Sequence, residues 1–129
     1  IEFKDGKVIN YAAKKGFDTL KGIIETDEYS CYLGEVALVP YDSAISNTNV
    51  IFKDTLLDEN ASCHLALGAS YPECMNGADN KEKDELRKMG VNDSKAHVDF
   101  MVGTADLDIV GITKDNKKIQ IFKRSERSF

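Results

Sequence analysis

Most of the short signatures that assign a protein quickly are missing from this 129-residue chain. Its three cysteines, Cys31, Cys63 and Cys74, form no C-x-x-C pair and are odd in number. That argues against a structural zinc frame or a disulfide scaffold and fits free thiols in a reducing compartment. No apolar run approaches the roughly 20 residues of a transmembrane helix, and the opening residues lack the basic-then-apolar order of a secretory signal. The expected setting is therefore the cytoplasm, with no membrane partner. There is no G-x-G-x-x-G, no P-loop and no G-x-S-x-G elbow, so dinucleotide binding, nucleotide hydrolysis and serine-hydrolase chemistry have no local support. Internal repeats and low-complexity segments are absent too. An excess of positive charge is also lacking: the formal net charge is −5 and the pI near 5.0, so no nucleic-acid partner is expected. The local basic cluster Lys114, Lys117, Lys118, Lys123, Arg124 and Arg127 reads as a solvated face.

What is present is a globular composition, 42% hydrophobic with 30% charged. The length suits one domain with a sizeable core and is short for two. There is no initiator Met, and Ile1-Glu2-Phe3 reads as a strand already under way. A turn at Asp5-Gly6 then leads into Lys7–Tyr11, a hairpin pattern, and the expectation is a chain cut from something longer. Phe17, Leu20, Ile23 and Ile24 recur at helical spacing and predict a helix over 12–26. Val36–Pro40 predicts a buried strand with Glu35 at its entrance, and 41–49 a loop rich in Ser, Asn and Asp. Asp58-Glu59-Asn60 predicts the start of a second helix with Ala61, His64, Leu65 and Gly68 on one face. Residues 76–90 predict a short exposed helix ending at Gly90. From Ala96 the period becomes two, predicting strands at His97–Val102, Leu107–Thr113 and Lys118–Phe122 joined as an antiparallel meander. The expected class is α+β, a mostly antiparallel sheet with packed helices.

Chemistry is confined to few residues. The only histidines are His64 and His97. His97 and Asp99 form H-x-D on a predicted strand, where residues two apart share a face with Cα atoms about 6.5–7 Å apart. Both side chains can reach one metal from there, or pair with each other at a sheet edge. Glu59 and His64, five residues apart, share a site only if Glu59 lies outside a helix; otherwise Glu59 complements the helix dipole. Glu35, beside an apolar strand, needs a cation or metal partner if buried, and none if it sits at an exposed strand end. Tyr71 can donate to an oxyanion or simply pack before Pro72. Two histidines with several carboxylates and no converging thiolates describe an N/O-ligand site, suited to zinc, cobalt or manganese.

Three segments also carry a resemblance. Leu33-Gly34-Glu35-Val36-Ala37-Leu38-Val39-Pro40-Tyr41-Asp42-Ser43, then Leu57-Asp58-Glu59-Asn60-Ala61-Ser62-Cys63-His64-Leu65-Ala66-Leu67-Gly68, then Asn92-Asp93-Ser94 with His97-Val98-Asp99-Phe100-Met101 and Gly103, resemble the thermophilic-aminopeptidase family, the group of aminopeptidases T and S. The resemblance covers nearly the whole chain. It implies a metal-dependent exopeptidase that removes N-terminal amino acids from peptides with two divalent ions, and a homodimeric parent. It implies that Glu35 bridges both metals, that His64, His97 and Asp99 are ligands, that Glu59 is a further ligand or the base, and that Tyr71 stabilises the transition state. Another metal-binding glutamate and an N-terminal domain of the family would precede Ile1, whereas the family's C-terminus is matched through Phe129. On that basis residues 1–129 are expected to be the C-terminal, ligand-bearing portion and to be inactive alone. The competing expectation is a non-enzymatic dimerisation or interaction module, using the apolar strands Val36–Val39 and Val98–Val102. Neither the preferred N-terminal residue nor the physiological metal is legible in the sequence.

Overall fold

The structure is a computed structural model, and it describes residues 1–124 and 126–127; Phe129 and the side chain of Arg127 lie outside the described residues. The fold is α+β. It has two compact units, the first comprising Ile1–Val36 and Leu65–Asp99, the second Ala37–His64 and the chain from Phe100 onward.

The first unit opens on a hairpin of β1 (Glu2–Lys4) and β2 (Lys7–Asn10), paired antiparallel. Its turn residues Asp5 and Gly6 both have positive φ, 52° and 77°, as a two-residue hairpin turn demands. Backbone bonds from Val8 N–H to Cys31 O (2.8 Å) and from Leu33 N–H to Gly6 O (2.9 Å) tie the hairpin to the residues entering β3 (Leu33–Ala37). Helix α1 (Phe17–Ile24) is shorter than the periodicity predicts. Its N-cap is Gly16 in the left-handed region (φ 72°), a conformation that ends any helix running in from residue 12. Ile24, Ala66, Leu67, Ala78 and Val91 form this unit's apolar core.

Strand order β3-β4-β5 makes a three-stranded sheet, with β4 at His64–Gly68 and β5 at His97–Met101. His64–Gly68 is a central strand and not part of the helix that the sequence predicts from Asp58-Glu59-Asn60 onward. Its HLALG run is apolar on both faces, and a short continuous apolar run fits a buried strand as well as a helix segment. Ala and Leu tilt the local propensity towards helix, and the flanking strands override it. Val36 and Leu38 of the predicted buried strand are 66% and 49% exposed. Glu35 stands within β3 and not ahead of it.

In the second unit, residues 41–49 are not all loop. Ser43 accepts a hydrogen bond from Ser46 N–H on its Oγ (3.0 Å) and caps α2 (Ala44–Thr48), and Asn49 closes it at φ 54°. The Ser and Asn that suggest a loop are here the two caps of a helix. Asp54 caps α3 (Thr55–Asp58) by accepting Leu57 N–H, and a 3₁₀ turn over Glu59–Ala61 follows. The strands β6 (Ile109–Ile112), β7 (Lys118–Lys123) and β8 (Glu126–Arg127) pair antiparallel in that order around buried Phe122. The meander therefore starts at β6, and β5 is not part of it. Val102 and Gly103 instead donate their N–H groups to Cys63 O (3.0 and 2.8 Å), which keeps the chain leaving β5 beside Cys63. In the first unit, the exposed helix α4 (Lys83–Lys88) ends before Gly90 as expected.

Candidate metal centre

Glu35 stands on β3, and His97 and Asp99 stand on β5; His64 begins β4. In the first unit Glu35, His97, Asp99 and Tyr71 come together. His97 Nε2 lies 3.3 Å from Glu35 Oε2 and 3.3 Å from Asp99 Oδ1. The H-x-D pair does share one strand face, as its spacing requires. Side-chain exposure falls from 26% at Glu35 and 23% at His97 to 7% at Asp99. The Tyr71 ring is half exposed and tilted against that of His97, centroids 5.2 Å apart. Glu35 and Tyr71 also border a cleft of ≈ 340 Å³ whose apolar wall includes Leu33, Val36, Met75 and Val91.

Electrostatics make this cluster unusual. His97 Nδ1 is 2.7 Å from the carbonyl of Ala69. A carbonyl only accepts, so Nδ1 carries the proton and, in the neutral ring, Nε2 carries the lone pair. That lone pair faces two carboxylates. Neither oxygen of Asp99 accepts a hydrogen bond from any described residue, although His97 Nε2 stands 3.3 Å from Oδ1. A buried carboxylate in that condition calls for a cation, either a second proton on the ring or a metal ion. Carboxylates and an imidazole whose far nitrogen is fixed by a carbonyl are a common donor set for a divalent ion. The residues present fit a metal.

In the second unit His64 is buried, with Nδ1 3.1 Å from the carbonyl of Ser62, so the same tautomer is set there. Glu59 is half-buried in the 3₁₀ turn, and with His64 on a strand the helical-wheel objection to their acting together no longer applies. Cys63 faces the carbonyl of Val39 (3.2 Å).

A scan against protein families matches residues 1–126 to the thermophilic metalloprotease (M29) family. The chain belongs to this family. Among curated relatives it is 50% identical over 129 residues to aminopeptidase 2 of Geobacillus stearothermophilus, covering 100% of this chain and 31% of that one. It is 41% identical over 122 residues to aminopeptidase T of Thermus aquaticus, covering 95% of this chain and 29% of that one. The solved structure of wild-type AmpT from Thermus thermophilus superposes with a TM-score of 0.86 at 38% identity, over 98% of this chain and 31% of that one. The chain thus spans about a third of the length of the relatives it matches. For a metalloprotease, the convergence of Glu35, His97 and Asp99 is the feature with chemical meaning.

Local spacing gives no sign of Asp27, which is 68 residues from its partner Lys95. Its carboxylate accepts N–H bonds from Lys95 (2.7 Å), Tyr29 and Ser30 (both 2.9 Å), and the Ser94 hydroxyl. The Lys95 bond above all, against opposing desolvation, holds its pKa below 3.8, with Tyr29, Ser94 and Ser30 adding to the effect. A depressed carboxylate pKa adds stability that is complete above the unfolded value and is lost as pH falls through the folded one. Acid unfolding below about pH 4 is therefore expected to be shallower in Asp27→Asn than in the parent, as read from Tm against pH. Parallel acid limbs would count against the clasp.

Proposed function

We propose that the protein is a metal-dependent aminopeptidase, releasing N-terminal amino acids from peptides with two divalent ions, and that this chain is its ligand-bearing portion. The observation that carries the reading is the lone pair of His97 Nε2 facing Glu35 and the otherwise unpartnered carboxylate of Asp99. The aminopeptidase names of the relatives supply the reaction class. Glu35, His97 and Asp99 of the first unit would hold the metal, and His64 and Glu59 are our further candidate ligands. N/O donors accept zinc, cobalt and manganese alike.

When bound, divalent ions supply Lewis-acid polarisation of the scissile carbonyl and a water acidic enough to react near neutral pH. The chain's own residues do the rest. The carbonyls of Ala69 and Ser62 orient the two imidazoles. Glu59 is our candidate to take and return the proton, a role that contributes typically about 10²–10⁴-fold. The Tyr71 hydroxyl donates to the oxyanion. We further propose a cytoplasmic homodimer; no described helix is long and apolar enough to cross a membrane. Because the match covers only about 30% of each relative, the segment of residues 1–129 is expected to be inactive by itself.

The test is hydrolysis of leucine p-nitroanilide by the full-length protein, before and after chelation and after divalent-ion repletion. Loss on chelation, recovery with metal and no cleavage of the N-acetylated substrate are expected. Chelator-resistant turnover, or equal cleavage of the blocked substrate, refutes the reading. In Tyr71→Phe, kcat is expected to fall about 10²–10³-fold with little change in KM, and an unchanged kcat removes Tyr71 from the chemistry.

A further inference from the structure

The stretch leading into β5, Asn92-Asp93-Ser94-Lys95-Ala96, has no regular secondary structure, yet it is tied down at several points in the first unit. Asn92 makes the most bonds. Its side-chain amide donates to the carbonyls of Tyr29 (2.9 Å) and Gly68, which uses both amide protons. Its backbone N–H donates to Ser70 Oγ (2.8 Å), and its carbonyl accepts the N–H of Ser70 (2.8 Å). Two residues on, the Ser94 hydroxyl donates to both oxygens of Asp27 (3.0 and 3.1 Å), and Lys95 N–H donates to Oδ2 (2.7 Å).

These bonds bracket one peptide unit. The Gly68 carbonyl held by Asn92 belongs to the peptide bond that ends in the Ala69 nitrogen, and that N–H donates to Ala96 O (2.7 Å). The Ala69 carbonyl in turn receives His97 Nδ1. Asn92 therefore fixes the near side of Ala69. Asp27 fixes the strand entry from which Ala96 and His97 follow.

We propose that Asn92 and Asp27 are positioning residues for the metal centre, holding the Gly68–Ala69 peptide and the entry to β5 so that the Ala69 carbonyl aims His97 Nε2 at Glu35 and Asp99. The proposal rests on the metal-ligand reading given above. Neither side chain touches a ligand group in the bonds described; both act through backbone. A purely structural role would lower stability and leave a folded variant's metal site intact. A positioning role weakens the site in protein that is still folded.

The experiment is a cobalt(II) titration of the full chain, followed by visible absorption, for the parent, Asn92→Ala, Asp27→Asn and His97→Ala. NMR of ¹⁵N-histidine-labelled metal-free protein reports the His97 Nδ1–H in parallel. In Asn92→Ala, cobalt affinity is expected to fall about 10–100-fold, the range for lost outer partners of a ligand, with an altered band and a faster-exchanging Nδ1–H. Asp27→Asn is expected to shift the same readouts in the same direction by less. Unchanged affinity and an unchanged Nδ1–H in folded Asn92→Ala overturn the proposal. If that variant does not fold, Asp27→Asn decides alone, by the same criteria. Parent-like cobalt binding by His97→Ala would sink the ligand reading itself, a failure distinct from that of the positioning residues.

Discussion

Asp99→Asn is expected to abolish tight metal binding while leaving the metal-free fold as stable as the parent, or more so. Its carboxylate is 7% exposed, and neither oxygen accepts a hydrogen bond from any described residue. A buried unsatisfied polar group costs about 1–3 kcal/mol, and more when charged. The amide removes that charge at nearly constant volume, so the metal-free variant should gain about 1 kcal/mol by denaturant titration in the presence of chelator. With metal the sign reverses. The loss of a direct ligand should exceed the roughly 10–100-fold that an outer partner costs, and the stabilisation that bound metal gives the parent should vanish with it. Unchanged metal affinity would show that Asp99 is not a ligand. A metal-free variant less stable than the parent would show that the isolated carboxylate is no burden.

Gly68→Ala is expected to be the most damaging single-methyl change in the chain. Gly68 ends β4 at φ 99°, a conformation L-residues rarely adopt, and a Cβ there would collide with the carbonyl of Ala96. Strain of that kind costs about 1–3 kcal/mol. The collision adds to it, since Ala96 O is already held by Ala69 N–H. Relief requires moving the residues whose carbonyl orients His97, so metal affinity should fall along with stability. Gly22 provides the contrast. It lies inside α1 with nothing within 4 Å of a built Cβ, and Gly22→Ala should stabilise by about 0.5–1 kcal/mol through helix propensity. Equal melting temperatures for the two alanine variants would contradict both assignments.

Strands bounded by turn residues can be read from the chain because their signals are local. Asp5-Gly6 sets the first hairpin, and period-two runs announce β5, β6 and β7. The H-x-D spacing needs no more than the geometry of one strand to bring His97 and Asp99 together. β4 is not legible in this way, because HLALG satisfies a helix and a central strand equally well and only its neighbours decide. The apolar run after Glu35 suggests a strand entrance there, although the residue lies within β3 beside His97. Asp27 and the bonds of Asn92 are out of reach for the same reason as β4: their partners lie up to 68 residues away, and no periodicity encodes them.

Both histidines are oriented by main-chain carbonyls, those of Ser62 and Ala69. Every amino acid carries that group, proline included. No substitution at 62 or 69 can delete the acceptor; it can only displace it. The choice of which ring nitrogen carries the proton in the neutral imidazole is thus written in the path of the chain rather than in the identity of a neighbouring side chain. Sequence drift at those two positions is free to proceed, as far as the imidazoles are concerned, so long as the strand keeps its course.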